Sequence, residues 1–235
     1  MCIRDRSHPI WRNESVCLKC TKQLVKLANA TKKNIHILHI TTAEEIELLN
    51  KNKKFISYEV TPQHLVLSSP SCYNKLGTLA QMNPAIRSSR HQNRLRKALK
   101  NNEIDIIGSD HAPHTLSEKK QRYPDSPSGM PGVQTLMPLL LNEVSKKTIS
   151  ITNVVELTSF NPIKRFKVKD KGLIKEGYDA DFTFVDLSMT KKISNKLIKS
   201  KCGWTPFHGM KVTGWPVGTM INGNKVFWNE KIIGK

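Results

Sequence analysis

Three short apolar runs, each closing on polar or ionisable residues, constrain this chain more than anything else in it. They are Asn34-Ile35-His36-Ile37-Leu38-His39-Ile40, Phe55-Ile56-Ser57-Tyr58-Glu59-Val60 and Ile104-Asp105-Ile106-Ile107-Gly108-Ser109. Their length and β-branched content read as buried strands rather than helices. Helix-patterned stretches flank them. Residues 14–31 carry Val16, Leu18, Leu24, Val25, Leu27 and Ala28 at helical spacing. A second helix opens after Thr41 or Thr42, either of which suits an N-cap, and carries Ile46, Leu48 and Leu49. Residues 89–101 form a third. Strands alternating with helices imply an α/β fold with a parallel sheet. Ligands of such folds bind at the carboxyl ends of the strands, which is where His39, Glu59 and Asp110 stand.

Beyond Asp110 the texture changes. Residues 115–132 form a long loop rich in Ser, Pro and Gly, as active-site loops often are. Residues 133–147 and 151–160 read as helices. Residues 172–186 read as a turn and a strand, and 212–215 and 219–227 as short strands, with Asn222-Gly223 a hairpin turn. We therefore expect a foreign segment over residues 1–7, a barrel-like portion over 8–168 and a β module over 169–235. A complete (β/α)8 barrel takes about 250 residues, so only part of one fits before the β module.

Lys and Arg number 38 against 19 Asp and Glu, a net charge of +19. The lysines are scattered and no recognition motif or stacking array accompanies them, so we expect neither a nucleic-acid partner nor a membrane one. No stretch reaches the ~18 apolar residues of a membrane span, and no signal peptide opens the chain. Five irregularly spaced cysteines make no disulfide framework. Cys17 and Cys20 lack the second ligand pair of a zinc site and read as buried thiols on a helix. Reduced thiols suit the cytoplasm.

Asp110-His111-Ala112-Pro113-His114 packs one acid and two histidines behind a strand. A carboxylate there can ligate a metal and exchange a proton with metal-bound water. A capping Asp with surface histidines accounts for the same residues. His36 and His39 are three apart, so in a strand they face opposite ways and His39, at the strand end, is the better ligand. Glu59 either acts directly or orients a neighbour; His64 and His91 read as surface or supporting residues. Asn83 and Arg87 offer an amide and a guanidinium fork to a small, planar, anionic substrate, although Asn-Pro is also ordinary turn chemistry.

In order, the segments 36–42, 58–65, 83–87, 109–114 and 128–132 resemble the successive motifs of dihydroorotases, and 205–214 is similar to the closing signature of the wider amidohydrolase group. The resemblance implies the C-terminal part of a (β/α)8 TIM-like barrel followed by a small β-sandwich module, an incomplete barrel in this chain. It implies reversible hydrolysis of the cyclic amide of dihydroorotate to N-carbamoyl-aspartate, in pyrimidine biosynthesis, by a hydroxide that a two-zinc centre activates. On that pattern His39 and Asp110 are metal ligands and Asp110 is also the proton shuttle. Asn83, His114, Ser128 and Gly129 bind substrate, with Arg87 in the place of a family arginine. Three departures stand out: the family's His-x-His and bridging Lys or Asp have no counterpart, Gln63 stands where many members have His, and Ala85 replaces a usual Pro. With two ligands in the chain, a binuclear centre is not expected to assemble on it alone. Allantoinase and dihydropyrimidinase share the fold and metal logic and are the alternative enzymes. A non-catalytic subunit that keeps the barrel but loses the ligands is a further alternative, against which His39 and Asp110 both stand, and a homo-oligomer is compatible with the pattern.

Overall fold

The computed structural model describes residues 7–233. Apart from Ser7, the expected foreign segment lies outside the described residues. The chain divides into two compact units, the first running to Gln134 and including Ser194–His208, the second comprising Thr135–Ile193 and the chain from Gly209.

In the first unit a short α1 (His8–Trp11) precedes α2 (Glu14–Thr31). Asn13 caps α2, its side chain accepting from the amides of Ser15 and Val16, which would otherwise lack partners. α2 buries Thr21, Val25 and Ala28, one stripe at helical spacing. Cys17 sits at the start of that stripe and is half-buried; Cys20 is off it and exposed, so the expectation of two buried thiols holds for neither. Next come β1 (Ile35–Ile37), α3 (Ala43–Asn50) and β2 (Ile56–Val60), followed by α4 (Pro62–Val66), α5 (Ser71–Leu76), α6 (Ser89–Lys100) and β3 (Ile106–Ile107). Thr42 caps α3 in a capping box with Glu45. The buried Glu45 carboxylate accepts from the Thr42 amide at 3.0 Å within that box and from the Thr21 hydroxyl at 2.7 Å.

The strands lie in the order β1-β2-β3, all parallel. Ile35 pairs with Ile56, Ile37 with Tyr58, and Glu59 with Ile106. β1 and β3 are shorter than the apolar runs that contain them. Just past each, His39 (φ 42°) and Asp110 (φ 41°) take left-handed backbone, which ends the extended conformation. Ile46, Leu49, Tyr58, Val60, Leu95 and Leu99 are buried around the sheet. Burial of each aliphatic side chain contributes about 1.5–3 kcal/mol. A second cluster joins Tyr73, Met82, Ile86, Met130 and Trp204.

The second unit holds most of α8 (Val133–Ser145), then α9 (Ile151–Val155), which continues through a π-helical turn into α10 (Asn161–Phe166). Its sheet is antiparallel, ordered β4 (Phe182–Lys192), β5 (Lys211–Ile221), β6 (Asn224–Trp228) and β7 (Lys231–Ile232). The two short strands expected after residue 211 are thus a single long one as far as Ile221. Asn222 and Gly223 both take positive φ in the β5–β6 hairpin, as a tight turn requires. At Gly214 (φ 98°) a Cβ would come within 2.5 Å of Leu141 Cβ, so β5 crosses α8 closely only because this residue is glycine. Among the described residues no helix is long and apolar enough to cross a membrane.

Candidate active site

His39 and Asp110 stand at the carboxyl ends of β1 and β3, with β2 between them. Left-handed backbone costs a non-glycine residue about 1–2 kcal/mol, and the surrounding ladder holds both turns. The Ile40 amide donates to the Glu59 carbonyl at 2.9 Å, and the Gly108 amide to the Val60 carbonyl at 3.1 Å. Burial pushes the Asp110 carboxyl above the usual carboxylate range; His39 opposes this and Glu59 adds to it. The three ionisable side chains thus share one electrostatic environment. Glu59 also lies 3.3 Å from Nε2 of His36, whose Nδ1 is 2.8 Å from the Ser57 hydroxyl. His36 is therefore tied to the neighbouring strand, while His39 lies beyond the strand, where the alternation of faces no longer applies.

His39, Asn83 and Arg87 line a cavity of about 540 Å³ together with Trp11, Cys17 and Tyr123. Asn83 is exposed there. Arg87 is only 5 % exposed. Its Nη1 donates to the Arg12 carbonyl at 2.5 Å, its Nη2 to Cys17 Sγ at 3.0 Å and its Nε to the Thr41 hydroxyl at 3.3 Å. Three of its five N–H donors are therefore committed to fastening residues 12–17 against the end of β1.

The other candidates gather on the loop after β3, which includes a one-turn α7 (Leu116–Lys119). The Ala112 amide donates to the Met130 carbonyl at 3.1 Å. His111 Nδ1 accepts from the Gly132 amide at 3.1 Å. A Cβ on Gly129 would lie 2.4 Å from the Ala112 carbonyl oxygen and 3.0 Å from His114 Cδ2. His114 and Gly129 are thus packed side by side with Ser128 next in chain, and the His114 carbonyl accepts from Trp204 Nε1 at 2.8 Å.

Of the two readings open for His64 and His91, surface or supporting, burial leaves the second: they are 2 % and 3 % exposed. His64 Nε2 donates to the Pro84 carbonyl at 3.0 Å and its Nδ1 lies 2.7 Å from the Thr61 hydroxyl. Desolvation drives its pKa down to about 3, so the ring is neutral. His91 Nδ1 accepts from the amide of Ala43, at the start of α3. Gln63 Nε2 donates to the Ser109 carbonyl at 2.9 Å, one residue from Asp110. Gly108 carries a further sequence signal: a lone glycine in an apolar strand marks a close approach, and here the Glu59 carboxylate fills the space a Cβ would need.

In kind, an imidazole and a carboxylate suit zinc, manganese or cobalt. In number they fall short: among the described residues no group of three or more His, Cys, Asp or Glu side chains is placed to hold a metal ion.

Residues 13–226 match the model of the amidohydrolase family. The chain belongs to the amidohydrolase family. Among curated relatives, it is 38% identical over 219 residues to a dihydroorotase of Pyrococcus furiosus, a match covering 93% of this chain and 51% of that protein. To a dihydroorotase of Methanosphaera stadtmanae it is 37% identical over 209 residues, covering 88% and 48%. The chain thus spans about half the length of these amidohydrolases. Among solved structures, an L-hydantoinase (dihydropyrimidinase) from Arthrobacter aurescens superposes with a TM-score of 0.89 at 27% identity, covering 93% of this chain and 50% of that one. A D-hydantoinase from a Thermus species superposes with a TM-score of 0.91 at 24% identity, covering 98% and 52%, and speaks to the amidohydrolase fold alone.

Proposed function

We propose that this chain carries the His39–Asp110 portion of a dihydroorotase, an enzyme of pyrimidine biosynthesis that reversibly hydrolyses the cyclic amide of dihydroorotate to N-carbamoyl-aspartate. The observation that carries this reading is the placement of His39 and Asp110 at the carboxyl ends of parallel strands, each in left-handed backbone and electrostatically coupled. The similarity to curated dihydroorotases supports the choice of substrate. On this reading the parallel strands belong to a (β/α)8 barrel that this chain builds only in part, and the antiparallel sheet to a β-sandwich module. His39 and Asp110 would hold a divalent ion, zinc in the family pattern. When bound, such an ion polarises a carbonyl and lowers the pKa of water. Asp110 would take a proton from the attacking water and deliver it to the leaving ring nitrogen. Asn83 and His114 orient the anionic substrate, the segment at Ser128 and Gly129 contacts its ring, and Arg87 holds the cavity wall. The reading places the enzyme in the cytoplasm, without nucleic-acid or membrane partners, and leaves room for a homo-oligomer.

The solved hydantoinase relatives favour a second reading, hydrolysis of a related cyclic amide. The deciding experiment adds zinc and the N-terminal half of the Pyrococcus furiosus dihydroorotase to this chain, then offers dihydroorotate and hydantoin separately. Dihydroorotate turnover that Asp110→Asn abolishes is expected, with the chain alone inactive. Turnover of hydantoin only, or full activity of the chain alone, overturns the reading.

A further inference from the structure

A fully buried lysine lies within the loop after β3. Lys119, the last residue of α7, is 0 % exposed. Its Nζ donates to the carbonyl of Gln81 at 2.8 Å and to that of Pro127 at 2.8 Å. Burial pulls its pKa down to about 8, and among the described residues no carboxylate offsets the cost. A bare ammonium in the interior is expensive, so a lysine here calls for something an apolar residue would not supply.

Its two acceptors indicate what that is. The Gln81 carbonyl also accepts from the Gly129 amide at 2.9 Å. The Gln81 side chain grips the same stretch, Nε2 donating to the Ser126 carbonyl at 3.0 Å and Oε1 accepting from the Ser126 hydroxyl at 2.5 Å. The Thr78 hydroxyl in turn donates to the carbonyl of Lys119. Hydrogen bonds to Ser126, Pro127 and Gly129 thus converge on Gln81 and Lys119. Gly129 tolerates no sideways error, since it is wedged against Ala112 and His114.

We infer that Lys119 is a positioning residue, clamping Pro127 to Gln81 so that Ser128 and Gly129 stand beside His114. The inference rests on the proposed function only in giving that segment a substrate to meet; the clamp itself is testable without turnover. Hydrogen exchange of the metal-free chain reads it directly. In Lys119→Met, similar in volume but without donors, the Gly129 amide exchanges at least about tenfold faster, while amides of α2 and α6 stay within about twofold. Lys119→Arg, which keeps the donors, recovers part of the protection. Thr78→Val, which loosens the lysine's own anchor, gives a smaller acceleration at Gly129 and serves if Lys119→Met does not fold. Unchanged Gly129 exchange, or acceleration spread evenly over the unit, overturns the clamp. Failure of dihydroorotate turnover alone leaves these readouts intact and bears on the proposed function instead.

Discussion

Gly108→Ala tests how tightly β2 and β3 are joined beside Asp110. The added methyl would lie 2.3, 2.5 and 2.7 Å from Oε1, Cδ and Oε2 of Glu59, inside any real contact distance. Gly108 is not in left-handed backbone, so alanine is conformationally permitted and on its own would stabilise by about 0.4–1 kcal/mol through the unfolded chain. Against this, the Glu59 side chain must leave its rotamer and move away from His36 Nε2. Overpacking of this kind costs about 1–3 kcal/mol, and weakening a charged hydrogen bond about 1.5–3 kcal/mol more at most. We expect net destabilisation of about 1–3 kcal/mol in urea titrations followed by circular dichroism at pH 7. Because one carboxylate causes the clash, the effect reverses in a Glu59→Ala background, where Gly108→Ala becomes neutral or mildly stabilising. The double-mutant cycle then gives a coupling of about 2 kcal/mol. If Gly108→Ala costs the same in both backgrounds, the contact with Glu59 is not what makes glycine necessary, and the reasoning fails.

Two pH effects follow from buried groups. His64 takes up its proton in the folded chain only near pH 3 but in the unfolded chain near its ordinary 6.5. Unfolding therefore binds a proton between these values, and stability falls by up to about 1.4 kcal/mol per pH unit as pH drops below 6.5; urea midpoints of His64→Gln should show a flatter profile there. The Asp110 carboxyl is shifted the other way, upward by burial. Its stabilising protonated form is fully present below the unfolded carboxylate pKa and is lost as pH rises through the folded one. In the metal-free chain Asp110→Asn should raise the urea midpoint at neutral pH, with the gain vanishing under acid; a gain independent of pH would contradict the burial assigned to this group.

What could be read from the sequence was local. The strand–helix alternation, the Thr42 cap and the Asn222-Gly223 turn depend on residues within a few positions of one another, and all are found where their patterns place them. The positions of His39 and Asp110 were legible because each follows a strand. The alternation rule that separated His36 from His39 was sound only inside a strand, and β1 stops at Ile37. The supporting residues were illegible for a different reason. His64 is satisfied by Pro84, His91 by Ala43, Arg87 by Arg12 and Lys119 by Gln81, in each case at least in part through main-chain groups 20, 48, 75 and 38 residues away. A carbonyl or an amide carries no side-chain signature, so no motif announces the partner. The partner of each of these polar side chains becomes visible only when the fold brings a backbone group to it. That is also why they repay mutation. A buried polar group whose partner is main chain cannot be compensated by a second side-chain substitution, so its loss should be felt at the segment it holds.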